Sequence, residues 1–328
     1  MNPHPAGAAR MIAALAACSA LAAVAVDPDP AAAAGWPERP VRIVIPYAPG
    51  GGSDLLARLI SDKLTRQLGQ QFVADNRPGA SGVIGSDIVA KATPDGHTLV
   101  VSGIGSHIVA PVVAPAPFDP VRDFAHVAFL GGYPAVLVVP AASGARSLKD
   151  FVARGRSAAD GITFGTPGRG THAHLIGELF ARKSGAKMIS VPYKGGGPAI
   201  ADVAGNQIQA SVTTLGAAAG QVRAGRLRAL ALTSAKRLVE YPDIPTFAEQ
   251  GFPDLTASTW FGLSGPAAMP KAVILRLNQE VRAAVALSDI RARYQSVGIE
   301  ANDFDPGAFT AYVRTEIQRW APLARAAK

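Results

Sequence analysis

Apolar positions along the chain fall into short runs rich in β-branched residues, separated by longer stretches with helical spacing. The first run, VRIVIP at 41–46, predicts a strand. After Gly50-Gly51-Gly52, the segment LLARLISDKLTRQLG repeats apolar residues at helical spacing and stops at Gly69. The same criteria predict strands at 71–75, 98–102, 127–139, 162–164, 188–191, 208–213 and 227–232. Helices are predicted at 81–92, 148–157, 171–184, 198–204 and 216–224. This alternation predicts an α/β architecture with mostly parallel sheets. No strand run follows 256–264, so the amphipathic stretch 271–286 and a helix from Asp305-Pro306 to Ala321 must pack on a sheet built earlier. Asp305 is the expected N-cap, Pro306 lies in the first turn, and Pro322 is expected to interrupt the helix.

Two apolar runs are unusually long. AFLGGYPAVLVVP (128–140) contains Gly131, Gly132 and Pro134, and TASTWFGLSGP (256–266) ends on Gly265-Pro266. Their glycines and prolines suit a change of direction between two lobes. Two such crossings imply a discontinuous first lobe, 36–133 plus 258–328, and a second lobe, 134–257. Two ordinary strands of one large sheet are the alternative.

Three strand ends lead through glycine-rich loops into helices. Pro46-Tyr47-Ala48-Pro49-Gly50-Gly51-Gly52-Ser53-Asp54 is the first, with Ser53 or Asp54 as expected N-cap. Gly165-Thr166-Pro167-Gly168-Arg169-Gly170-Thr171 is the second, with Thr171 as expected cap, and Pro192-Tyr193-Lys194-Gly195-Gly196-Gly197-Pro198 is the third. Glycine lets main-chain N–H groups approach a ligand, and a helix start leaves unpaired donors with a partial positive charge. Such loops favour an anion, and in open α/β sheets they lie at the carboxyl ends of strands where ligands bind. A sharp strand-to-helix turn is the plainer reading of each. The first loop contains neither G-x-x-x-x-G-K-[ST] nor G-x-G-x-x-G, so it lacks a nucleotide-binding fingerprint. Arg77, in DNRPGASG (75–82), is a further candidate for a carboxylate, although an arginine beside a turn more often serves structure.

Composition narrows the classes. The 328 residues are 48% hydrophobic, ample for a buried core, and a net charge of +8 raises the expectation of an anionic partner. The basic residues are scattered, and the densest stretch (Arg223, Arg226, Arg228, Lys236, Arg237) lacks interleaved aromatics, which argues against nucleic acid. Residues 1–35 read as a signal peptide, with Arg10, an Ala-rich apolar run and small residues at 31–34. Periplasmic export is therefore expected. The only cysteine, Cys18, closes a lipoprotein-like Leu15-Ala16-Ala17-Cys18, but apolar sequence continues past it, which favours a soluble product over a lipid anchor. Without that leader no cysteine remains for a disulfide, a thiolate nucleophile or a cysteine-bound metal. No G-x-S-x-G or HExxH occurs, and His172 and His174 are two apart, on different helix faces. His97, His107 and His126 are isolated and read as turn or core histidines.

From Trp36 onwards the chain resembles the Bug family, the substrate-binding proteins of tripartite tricarboxylate transporters. The segments that carry the resemblance are WPERPVRIVIPYAPGGGSD (36–54), DNRPGASGVIGSDIVAKATPDGHTLV (75–100), FDPVRDFAHV (118–127), GTPGRGTHAHLIGELF (165–180), VPYKGGGPAIADVAGNQIQ (191–209), AGRLRALALTSAKR (224–237), EQGFPDL (249–255) and WFGLSGPAAMP (260–270). The resemblance implies a type II periplasmic binding fold with a ligand cleft between two α/β lobes. It implies a solute-binding protein, not an enzyme, that captures a small organic carboxylate without cofactor or metal and, as a monomer, delivers it to membrane permease subunits. By motif, Tyr47, Ala48, Pro49, Gly50, Gly51 and Ser53 are assigned to the ligand from the first lobe, with Ala80 and Ser102 on the near wall. Thr166, Thr171, Lys194 and Gly195 are assigned from the second. Thr213 stands where many relatives have aspartate, which puts contact with a ligand amine in doubt. An α/β enzyme acting on an anionic substrate and a ligand-dependent sensor module are the alternatives.

Overall fold

The computed structural model describes residues 35–326, so the leader and Cys18 lie outside the described residues. Strands β1 (Val41–Ile45), β2 (Phe72–Asn76) and β3 (Thr98–Gly103) form a parallel set in the order β2-β1-β3. Helix α1 (Gly52–Leu68) connects β1 to β2 and buries Leu56, Ile60 and Leu64. It ends on Gly69, whose left-handed φ of 70° suits a residue without Cβ. Helix α2 (Val83–Ala90) leads to β3. A buried π-helical turn, Ile104–Val109, and the short helix α3 (Ala110–Val113) follow. Periodicity had not indicated this pair, because the turn has glycine and serine among its apolar residues.

β4 (Phe124–Pro140) is 17 residues long and changes partner midway. Up to Pro134 it pairs antiparallel with β9 (Ser258–Pro266), which itself lies antiparallel to β3. From Ala135 it pairs antiparallel with β7 (Ala210–Thr214), and from Val136 also with β8 (Leu227–Leu232). β7 continues in parallel to β5 (Ile162–Thr166), and β5 to β6 (Met188–Pro192). Parallel pairs therefore occupy the outer parts, as the alternation predicts, whereas the two long strands make the centre antiparallel.

Thr233 joins the two places where the chain passes between the sheets. Its hydroxyl accepts from Ala135 N (2.8 Å) and donates to Ala257 O (2.7 Å). Its main chain pairs with the same two residues, Thr233 N to Ala135 O and Ala257 N to Thr233 O, both 2.9 Å.

Helices α4 (Leu148–Ser157), α5 (His172–Ser184), α6 (Gly196–Ala204) and α7 (Leu215–Arg223) serve the second sheet. The C-terminal helices α8 (Lys271–Ala286), α9 (Ser288–Ser296) and α10 (Pro306–Ala326) return to the first. Asn278 of α8 anchors to β4 by donating to Val127 O (2.9 Å). Asp305 Oδ1 accepts from Ala308 N (2.7 Å), the expected cap. Pro322 does not end α10, which runs on to Ala326. Trp320, Ala321 and Ala324 are all buried, and this packed face carries the helix past the missing N–H. Glu316 of α10 is buried and accepts from both Trp260 Nε1 and Trp320 Nε1, each at 3.1 Å. Burial pushes its carboxyl up from the usual range.

Candidate functional site

Four helices begin at one small cavity. α1 contributes its cap Gly51 with Gly52 and Ser53, and α5 its cap Thr171 with His172 and Ala173. α6 contributes Gly196 and α7 its cap Thr214. Each helix start carries main-chain N–H groups without intrahelical partners and roughly half a positive charge. Tyr47, Gly105, Pro167, Thr213, Thr259 and Phe261 complete the lining, and the cavity volume is ≈ 40 Å³. No Asp, Glu, Lys or Arg is among the lining residues.

The first loop reaches the cavity differently from expectation. Gly51 is the N-cap, and neither Ser53 nor Asp54 caps the helix, since both already lie in its first turn. Asp54 instead turns back to accept from Gly50 N (3.0 Å), and it also accepts from Arg58 Nε (3.0 Å) and Asn76 Nδ2 (3.0 Å). Burial pushes the Asp54 carboxyl up, but the hydrogen bonds from Arg58, Gly50 and Asn76 outweigh it and hold it below the usual carboxylate range. Its negative charge is thus answered by Arg58 on the same helix and does not oppose an anion at the helix start. Tyr47 is buried and donates to Ser81 O (3.1 Å), and burial raises the phenol well above its ordinary value.

Of the residues expected at the ligand, Tyr47, Gly51, Ser53, Thr171 and Thr213 line the cavity. Ala48, Pro49, Gly50, Lys194 and Gly195 form the seam above it. Ala48 N donates to Lys194 O (2.8 Å), and a Cβ at Gly195 would lie 3.0 Å from Ala48 N. Lys194 contributes this carbonyl while its side chain is exposed, so it brings no cation to the cavity. Ala80 is also exposed, and its neighbour Ser81 donates to Arg169 O across the same seam. Ser102 is withdrawn into a buried polar group, its Oγ 2.7 Å from Ser264 Oγ, which in turn lies 2.9 Å from His126 Nδ1. Thr166 is fully buried at the end of β5, with its hydroxyl 3.4 Å from Gly168 O. Phe164 packs in the core of the second sheet. Arg77 binds Asp75 (3.0 Å), the structural role of an arginine beside a turn.

Thr171 caps α5 as expected. Its Oγ1 accepts from His174 N (3.3 Å) and donates to Gly168 O (2.8 Å), fixing the second glycine loop. Thr171→Ala is expected to cost about 0.5–2 kcal/mol of stability. A urea titration checks this, and an unchanged midpoint would mean that the cap does not hold the helix start.

Lining residues not individually assigned from sequence are Gly52, Gly105, Pro167, His172, Ala173, Gly196, Thr214, Thr259 and Phe261, of which Gly52, Pro167 and Gly196 belong to the three glycine loops. Thr214 has a legible signature, a hydroxyl residue between a strand and a helix, as at Thr171. Thr259 and Phe261 sit on β9, distant in sequence from every other lining segment, and reach the cavity only through the pairing of β9 with β3 and β4. His172 follows the cap of α5. Its Nδ1 lies 2.8 Å from Thr259 Oγ1, and its ring meets Trp320 edge-on at 4.5 Å. Burial, reinforced by Arg319, pushes it down to about 3, so the ring is neutral at pH 7.

The chain is similar to known proteins in sequence and in fold. The sequence model of the tripartite tricarboxylate transporter family receptor matches residues 56–328. BugT of Bordetella pertussis is 33% identical over 298 residues, 90% of this chain and 91% of BugT. A solved R. palustris protein with adipate is 33% identical with a TM-score of 0.86, covering 89% of this chain and 98% of that one. MatC from Rhodopseudomonas palustris with bound malate is 30% identical with a TM-score of 0.84, covering 88% and 100%. The fold is that of periplasmic binding proteins. The chain therefore belongs to the tripartite tricarboxylate transporter receptor family, with relatives among the Bug proteins.

Proposed function

We propose that the protein is a periplasmic solute receptor that closes its lobes around a small organic carboxylate and presents it to membrane permease subunits. The observation that carries this reading is the convergence of four helix starts on a cavity whose lining bears no formal charge. Their combined partial charges favour an anion. A neutral lining leaves the site able to release it, since no buried ion pair has to be broken. Relatives solved with adipate and malate support the carboxylate class.

The lobes divide beside Pro134, where β4 changes partner, and between Ala257 and Ser258, where the chain returns. The first is 36–133 plus 258–328, and the second is 134–257. In this arrangement the seam between 47–50 and 194–197 is an interlobe contact. Carboxylate bound between the lobes favours the closed state and shifts the population towards it. Export rests on residues 1–35 as a cleaved leader, with Cys18 removed along with it.

Calorimetry on the purified protein with short mono- and dicarboxylates, paired with mass spectrometry of the recovered ligand, tests the reading. At least one carboxylate is expected to bind and to be recovered unchanged, while its amide analogue does not bind. Turnover of the ligand, or equal binding of the amide, would sink it.

A further inference from the structure

Four successive residues between β2 and α2 have left-handed φ: Gly79 (144°), Ala80 (44°), Ser81 (55°) and Gly82 (99°). Glycine adopts such angles freely, whereas a residue with a Cβ meets a steric penalty there. Among the described residues the other non-glycine position of positive φ is Asn206, a residue type that tolerates it. Strain of this kind persists only where the surrounding contacts over-determine it, and it gathers at sites that bind or switch.

Contacts hold Ser81 from two sides. Its carbonyl oxygen accepts from the hydroxyl of Tyr47 (3.1 Å), which lines the cavity. Its own hydroxyl donates to Arg169 O in the second glycine loop. Gly168 leaves room for that hydroxyl, since a Cβ there would stand 3.0 Å from Ser81 Oγ. Tyr47 and Ser81 share the first lobe on the proposed division, so their bond survives opening. Arg169 belongs to the second lobe, so the hydroxyl bond exists only when the lobes meet. Side-chain direction follows backbone conformation, and the left-handed turn is what aims the Ser81 hydroxyl at the opposite loop.

Resting on the receptor reading above, we propose that Ser81 is a positioning residue that latches the closed lobes by its hydroxyl bond to Arg169 O, from a turn held in a strained conformation. Ser81 is not among the residues lining the cavity, so it acts on closure and not on the bound acid. The turn alone is better served by glycine, as at 79 and 82, and a serine at 81 is explained by its hydroxyl. A bond made only in the closed state raises affinity by lowering the open fraction. It must break before the acid leaves, so it slows release and leaves the encounter untouched.

Two variants separate the latch from the turn. Ser81→Ala keeps the Cβ and its strain and deletes only the hydroxyl, whereas Ser81→Gly deletes the hydroxyl and relaxes the turn. Calorimetry and stopped-flow displacement on the purified protein use L-malate, adipate and butyrate, and the variants are compared on whichever of the three binds most tightly. Both variants are expected to weaken that acid about three- to tenfold, the range of one net hydrogen bond. The whole loss is expected in a faster release rate, with the association rate unchanged. The melting temperature of the free protein is expected to be unchanged in Ser81→Ala and at least as high in Ser81→Gly. A hydroxyl that merely supported the turn would instead lower that temperature in Ser81→Ala and leave release unaltered. Unchanged release in both variants, or a loss carried by association alone, overturns the latch while the receptor reading stands. Failure of all three acids to bind overturns both.

Discussion

Replacing Gly197 with alanine is expected to weaken carboxylate binding about tenfold or more, with a smaller effect on the stability of the free protein. A Cβ at this position would stand 2.3 Å from Pro49 O and 3.3 Å from the Gly50 main chain. Main-chain atoms cannot rotate aside as a side-chain tip can. The cost of such overpacking is about 1–3 kcal/mol, and each 1.4 kcal/mol is a factor of ten in affinity. Gly197 and Pro49 belong to opposite lobes on the proposed division, so the clash exists only when the lobes meet. Gly197 lies in the first turn of α6 directly before Pro198, where alanine brings no interior helix-propensity gain. The substitution therefore penalises closure and favours the open protein. Calorimetry, with small-angle scattering before and after ligand, reads both effects. Unchanged affinity and normal compaction would show that closure does not bring these loops together. Gly51, by contrast, would place a Cβ 3.5 Å from Gly196 N, an ordinary contact, so alanine there is expected to be far milder.

Acid is expected to unfold the protein well above the carboxylate range. His107, His126 and His172 are buried, and burial pushes them from 6.5 down to about 3, 4 and 3. Secondary contributions come from His126 at His107, from Arg314 at His126 and from Arg319 at His172, and the hydrogen bond to Pro120 O partly offsets the shift at His126. The folded values lie below the unfolded one, so below pH 6.5 the unfolded chain binds more protons. Stability is present above 6.5 and is lost as pH falls towards 4 to 3. Each differential proton changes stability by about 1.4 kcal/mol per pH unit, so three give a slope of about 4 kcal/mol per unit and a loss of about 5 kcal/mol between pH 7 and pH 5. This is comparable with the whole stability of many domains, about 5–15 kcal/mol. Urea midpoints at pH 7, 6 and 5 check it. A flat profile, or imidazole resonances that titrate near 6.5 in the folded protein, would refute it.

Much of the architecture was legible because local pattern and tertiary role coincide. The run at 43–46 is apolar on successive positions because β1 lies between two neighbours and is buried on both faces there. The helix at 271–286 is amphipathic because one stripe alone packs inward. His107 and His126 read correctly as core histidines. The site was half legible. Glycine loops between strand and helix announce helix starts, and they led to Tyr47, Gly51, Ser53 and Thr171. The pattern did not separate the lining from the seam, because Pro49 and Gly51 share one loop and only lobe contact distinguishes them. His172 was considered for its spacing to His174, whereas its importance comes from lying in the first turn of α5 beside Thr259, a neighbour 87 positions away. No periodicity encodes that contact. Pro322 misled in the opposite way, since a local breaker was overruled by burial on either side of it.

Thr233 has a mechanical meaning in such a receptor. Two stretches of chain, at Ala135 and Ala257, are pinned to this one residue by four bonds, two from its hydroxyl and two from its backbone. Neither connecting strand can stretch or slide without pulling on the other. On the proposed division of the lobes, such a pin lets them swing about a single line and forbids shear, as a door pin does.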